Sequence, residues 1–236
     1  MTHIPSPRFS PARLINIGRR CGRLCTKAGT GAQKYNERIA AAMQELVQRR
    51  SDAEKYGFEV DTAIDLTVQA NCALDEAVRT AFEKCEQHDR ENPAEPVTLR
   101  VFPDRSFSKI VYSKKAKEPE LVRQIANRIK EIGEGSPLAS VAKDLDKAVE
   151  TVDGANAGLS AKRRAYDDAC TQQSLAKDHF VNEYKATFYD ASVAHGQRYA
   201  RSLFPAINTR KERNESPTGD DGADAAVPTV PALKAA

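Results

Sequence analysis

From Ala32 to Glu91 the chain contains no proline and a single glycine, Gly57. Steps of four and three residues along this stretch land on Ile39, Met43, Leu46, Arg50, Ala53, Gly57, Val60, Ile64, Thr67, Asn71, Leu74, Val78, Ala81 and Cys85. An apolar repeat of about 3.5 residues belongs to helices that meet along a coiled-coil-like seam. The spacing predicts one helix over residues 32–91, about 90 Å long at the α-helical rise. Arg50 and Asn71 interrupt the seam and are expected to fix its register, while Gly57 permits a close approach or a bend.

A second segment of the same kind opens at Ser136-Pro137, a capping residue followed by proline. Leu138, Val141, Leu145, Ala148, Val152, Ala155 and Leu159 continue the spacing, and Tyr166, Ala169, Ala176, Phe180, Tyr184 and Phe188 extend it imperfectly. The pattern predicts a helix over 137–204 that returns antiparallel to the first. Neighbours across the seam should then have residue numbers summing to about 227. That places Gly57 near Cys170 and the Gly154–Gly158 stretch near Leu74, with a kink or a tight contact at those two glycines. The expected fold class is mainly all-α, an elongated antiparallel hairpin or bundle.

Between the long helices, residues 97–112 alternate as a β-hairpin would, with Pro103–Ser106 as its loop. In that register Leu99 opposes Ile110 and Val97 opposes Tyr112. A short helix over 119–132 offers Leu121, Val122, Ile125 and Ile129 to cover the ribbon, because two strands alone are marginal in water. The insert is read as a cap on the turn end of the bundle. Its other face would set Arg100 opposite Lys109 and leave Phe102 and Phe107 flanking the loop, a basic and aromatic tip suited to nucleic acid or an acidic partner.

Charge is distributed unevenly. Residues 1–36 hold seven cations and no acid, so a whole-chain charge of +3 leaves about −4 for the remainder. Within this basic segment (1–31), Ser10-Pro11 signals a helix start, and Leu14, Ile17, Cys21, Leu24 and Cys25 share a face. Arg13, Arg19, Arg20, Arg23 and Lys27 lie mostly elsewhere, and Gly29 and Gly31 end the helix. Such an arm suits nucleic acid first and an anionic membrane surface second. The C-terminal stretch, 207–236, lacks aromatics and mixes Pro with small and charged residues, so it is read as disordered.

No nucleophilic triad stands out in the sequence. Cys21 and Cys25 make half a metal site and lack a second pair, and no Glu-x-x-His pairs recur on two helices. No cofactor, metal or small-molecule substrate is expected. Five cysteines in a long chain point to a reducing, cytoplasmic setting. These observations favour a non-enzymatic structural or interaction protein. Self-association or a protein partner would complete a seam built on Ile39, Met43, Leu46, Val60, Ile64, Leu74, Val78, Leu145, Val152, Leu159, Phe180 and Tyr184.

Overall fold

In a computed structural model, which describes residues 3–104, 106–133 and 136–207, the chain builds seven α-helices and one 3-10 turn. Helix α1 spans Pro11–Ala28, where Ser10 Oγ accepts from the Arg13 backbone N–H and Pro11 takes the first-turn position. It stops at Gly29, whose φ of 87° is left-handed. A 3-10 turn, Thr30–Ala32, reverses the chain into α2, Gln33–Glu91. The second long helix is α6, Ala139–His195, and Gly196 with φ 85° separates it from α7, Gln197–Leu203. The expected single helix over 137–204 is therefore two helices, broken where a left-handed glycine ends the ladder.

Helices α2 and α6 lie antiparallel along most of their length, and two separate cores form at the ends of the pair. At the terminal end, α1 and α7 pack over α2 and α6 around Leu14, Ile39, Leu46, Phe180, Tyr184 and Phe204. The ring of Phe204 meets Tyr184 and Phe188 edge-on, at 5.1 and 5.4 Å between centroids. At the turn end, the insert covers Leu74, Val78, Leu145 and Val152. Burying residues of this size contributes about 1.5–3 kcal/mol each.

Between the cores α2 and α6 form a two-helix neck. Ile39, Leu46, Phe180 and Tyr184 are buried at the terminal end and Leu74, Val78, Leu145 and Val152 at the turn end, but Val60, Ile64 and Leu159 between them are not. Ile64 is 37 % exposed, and Val60 and Leu159 are half-buried. Phe58, 73 % exposed, points outward with Leu66 and Val68. The register also sits one turn from the expected one: Gly57 faces Tyr166 rather than Cys170, and a Cβ on it would stand 3.5 Å from the Tyr166 ring. Helix α6 runs unbroken through Gly154 and Gly158, neither of which has a neighbour within 4 Å of where a Cβ would stand. They serve neither a kink nor a contact. Arg50 turns out of the seam to pair with Glu54, and Asn71 donates to the Thr67 carbonyl.

The β-hairpin expected at 97–112 is absent, and no strand occurs among the described residues. Two single-turn helices take its place, α3 (Thr98–Val101) and α4 (Ser108–Val111), followed by α5 (Glu118–Lys130). The reason is capture of backbone donors by side chains. The Asp89 carboxylate at the end of α2 accepts from the N–H groups of Val97 and Thr98, and Ser106 Oγ accepts from Ser108 N. These bonds start helical turns, which also avoid setting Arg100 against Lys109 across a ladder. Val97, Val101, Phe102 and Val111 all reach the core this way. Residues 208–236, in the segment expected to be disordered, lie outside the described residues. Among the described residues no helix is long and apolar enough to cross a membrane.

Candidate interaction surface

Helix α1 is packed along α2 rather than projecting from it as an arm. Its apolar face is consumed by that packing: Leu14, Ile15, Cys21 and Cys25 are buried, and Ile17 packs against the same core. Two glycines on this face allow the close approach, and a pattern of large apolar side chains does not reveal them. A Cβ on Gly18 would stand 2.9 Å from Met43 Sδ and 3.1 Å from the Phe180 ring, and one on Gly22 would stand 2.9 Å from Asn36 Oδ1. The signal that marks them is their spacing of four residues, in line with the buried Leu14, Cys21 and Cys25 positions.

Arg19, Arg20, Arg23 and Lys27 project from the opposite side, all exposed. At 100° per residue they fall within one sector of the helix. None of the four forms an ion pair among the described residues, and α1 contains no acid. Arg13 does not join them, since its guanidinium lies over the Phe9 ring at 3.6 Å. Between α1 and α2 a groove of about 550 Å³ has an apolar floor that includes Gly18, Ala40 and Met43. Arg19, Arg23 and Lys27 stand along one rim. Thr26, also in the lining, spends its hydroxyl on the Gly22 carbonyl at 3.0 Å.

The insert presents its charges differently. Phe102 is 2 % exposed and Phe107 is half-buried, both packed on Phe82 with centroids 5.2 and 5.5 Å apart, so the expected pair of open aromatics is corrected. Lys109 is paired with Asp104 at 2.9 Å. Arg123 pairs with Asp153, and Arg128 donates to the Val101 carbonyl at 3.1 Å. Arg100 stays exposed. The arm cations and the insert cations are not brought together, because they belong to opposite ends of the long hairpin.

Two further clusters of titratable groups each include a buried member. At the turn end, Lys115 Nζ lies 2.8 Å from Glu118 Oε2 and 3.0 Å from Asp75 Oδ1, tying the start of α5 to α2. Glu118 is fully buried, and its Oε1 has no hydrogen-bond donor among the described residues. Burial, and then the hydrogen bond with the Asp75 carboxyl, push Glu118 up to about 7. Burial also works to raise Asp75, but its bonds with Glu118 and Lys115 outweigh this and leave it below the usual range. In the terminal core, a hydrogen bond between the thiols raises Cys21 and lowers Cys25, and burial raises the Tyr184 phenol. Among the described residues no three metal-binding side chains converge.

No known family, curated protein or solved structure matches the chain. Its surfaces therefore carry the functional argument.

Proposed function

We propose that this is a non-enzymatic structural and interaction protein, with the helical hairpin as support and the exposed face of α1 as its docking surface. The observation that carries this reading is the row Arg19, Arg20, Arg23 and Lys27, four cations held on a packed helix without an acidic partner among the described residues. Charges that stabilise a fold are ordinarily neutralised within it, as Lys109, Lys115 and Arg123 are here. The polar groups lining the adjoining groove are cations and neutral side chains, with no general base among them. A membrane role is weakly supported, because the apolar stripe needed for insertion is buried on α2. The cytoplasmic setting expected from the cysteines belongs to the same proposal.

Chromatography of the full-length protein on an immobilised polyanion tests the reading. Replacing Arg19, Arg20 and Arg23 by alanine should lower the eluting salt concentration far more than replacing Arg100, Lys109 and Lys117, an equal loss of charge. Equal shifts would contradict it.

A second reading, self-association, is favoured by the neck. Phe58, Leu66 and Val68 are exposed where, among the described residues, no further helix lies over the pair of long helices. The occupant this proposal names is the neck of a second copy, which would supply two more helices and make a four-helix section. Light scattering on the eluting protein should then report twice the mass of 25.9 kDa, and a monomer at every concentration would refute it.

A further inference from the structure

We propose that the partner of the α1 face is nucleic acid, bound through its phosphate backbone. This inference rests on the reading of that face as a docking surface. Three features narrow the partner class. The first is spacing. Arg19, Arg23 and Lys27 follow one another at four-residue steps, so their anchor points advance by about 6 Å each along the axis. A row of evenly stepped cations suits a row of evenly stepped phosphates, and Arg20 stands beside it within the same sector.

The second feature is what the face lacks. A stable protein interface centres on aromatic or aliphatic anchors in desolvated pockets. On α1 Leu14 and Ile15 are buried, Ile17 packs on the core and Leu24 is half-buried, while the outward sector holds Ala12, Asn16 and Thr26 besides the cations. Recognition there has to come from charge. The third is rigidity. Gly18 and Gly22 seat α1 tightly on α2, so the guanidinium groups start from a fixed backbone and bidentate phosphate contacts cost less ordering. With no aromatic side chain in that outward sector for base stacking and no acid to select a donor, the contacts are to the backbone and independent of sequence.

Fluorescence anisotropy with a short labelled DNA duplex tests this on the full-length chain. Four phosphate contacts predict a slope of about −3.5 in log affinity against log salt. Replacing Arg19, Arg20, Arg23 and Lys27 together by alanine should weaken binding more than about tenfold at low salt and flatten the slope. A variant lacking Arg100, Lys109, Lys114 and Lys117 removes the same charge from the other end and should stay close to wild type. No binding at low salt, or equal losses in the two variants, would overturn the proposal. Parallel titrations with polyglutamate and with anionic vesicles separate two kinds of failure. Binding of polyglutamate through the α1 row without binding of DNA would overturn the nucleic-acid assignment and keep the docking face. Vesicle binding without DNA binding would overturn the assignment as well, and loss of all three would remove the docking face itself.

Discussion

The two ends of the molecule carry basic segments that look alike in composition and behave differently in the fold. At the terminal end, α1 devotes one side to the core and leaves Arg19, Arg20, Arg23 and Lys27 outside with no acid nearby in its own helix. At the turn end, the insert spends part of its charge internally and leaves Arg100, Lys114 and Lys117 exposed. Lys109 meets Asp104, Lys115 bridges Asp75 and Glu118, and Arg128 caps the carbonyl of Val101. Its phenylalanines, which could have made a stacking platform, are packed on Phe82. A count of cations therefore says little about function until the fold shows which of them are already engaged.

The largest test of this contrast is Phe102→Ala. A buried aromatic in the turn-end core should cost about 3–5 kcal/mol on truncation, measured by denaturant unfolding. A loss below about 1 kcal/mol would return Phe102 to the surface, where the pattern of surface substitutions applies. Next in size is a pair of glycines. Gly18→Ala forces a methyl against Met43 and Phe180 and should destabilise by about 1–3 kcal/mol. Gly158→Ala, in open space on the neck, should stabilise by roughly 0.5–1 kcal/mol. Opposite signs in thermal melts are expected, and like signs would break the account of how α1 is seated.

The arrangement of α2 and α6 is legible in the chain, and the insert is not. The 3.5-residue spacing specifies a seam, and Ser10-Pro11 specifies where α1 begins, because both depend on neighbours within a turn or two. The register does not follow, since a heptad repeat looks the same after every shift of a turn and the insert hides the true turn length. Residues 97–112 alternate well enough for strands. What decides against them is Asp89, eight residues before Val97, together with Phe82 on α2, and neither influence is local to the segment. The α1 face is half legible. Its cations stand out in the sequence, but the glycine pair that seats the helix does not, and the stacking of Arg13 on Phe9 removes one cation that composition alone would include.

A smaller effect tests the charge burial at the turn end. Glu118 faces Asp75 on α2 and Lys115 from the preceding loop, with Arg79 also acting on Asp75. Its folded-state value of about 7 lies above the ordinary 4.5, so the native state holds a proton there that the unfolded chain releases. Stability from this group is present below pH 4.5 and is lost as pH rises through 7. Asp75, held low, contributes in the opposite sense at more acid pH. Glu118→Gln should flatten the fall in unfolding midpoint between those two values. An unchanged profile would mean that Glu118 is hydrated and ordinary.

The contrast between open and engaged cations is tested most directly by arginine-selective dicarbonyl modification of the native protein, read residue by residue by mass spectrometry. Arg19, Arg20 and Arg23 should react well ahead of Arg123 and Arg128, whose guanidinium groups are held by Asp153 and the Val101 carbonyl. Reaction of the α1 arginines at the same rate as the held pair, or slower, would contradict the claim that α1 presents a free cationic face.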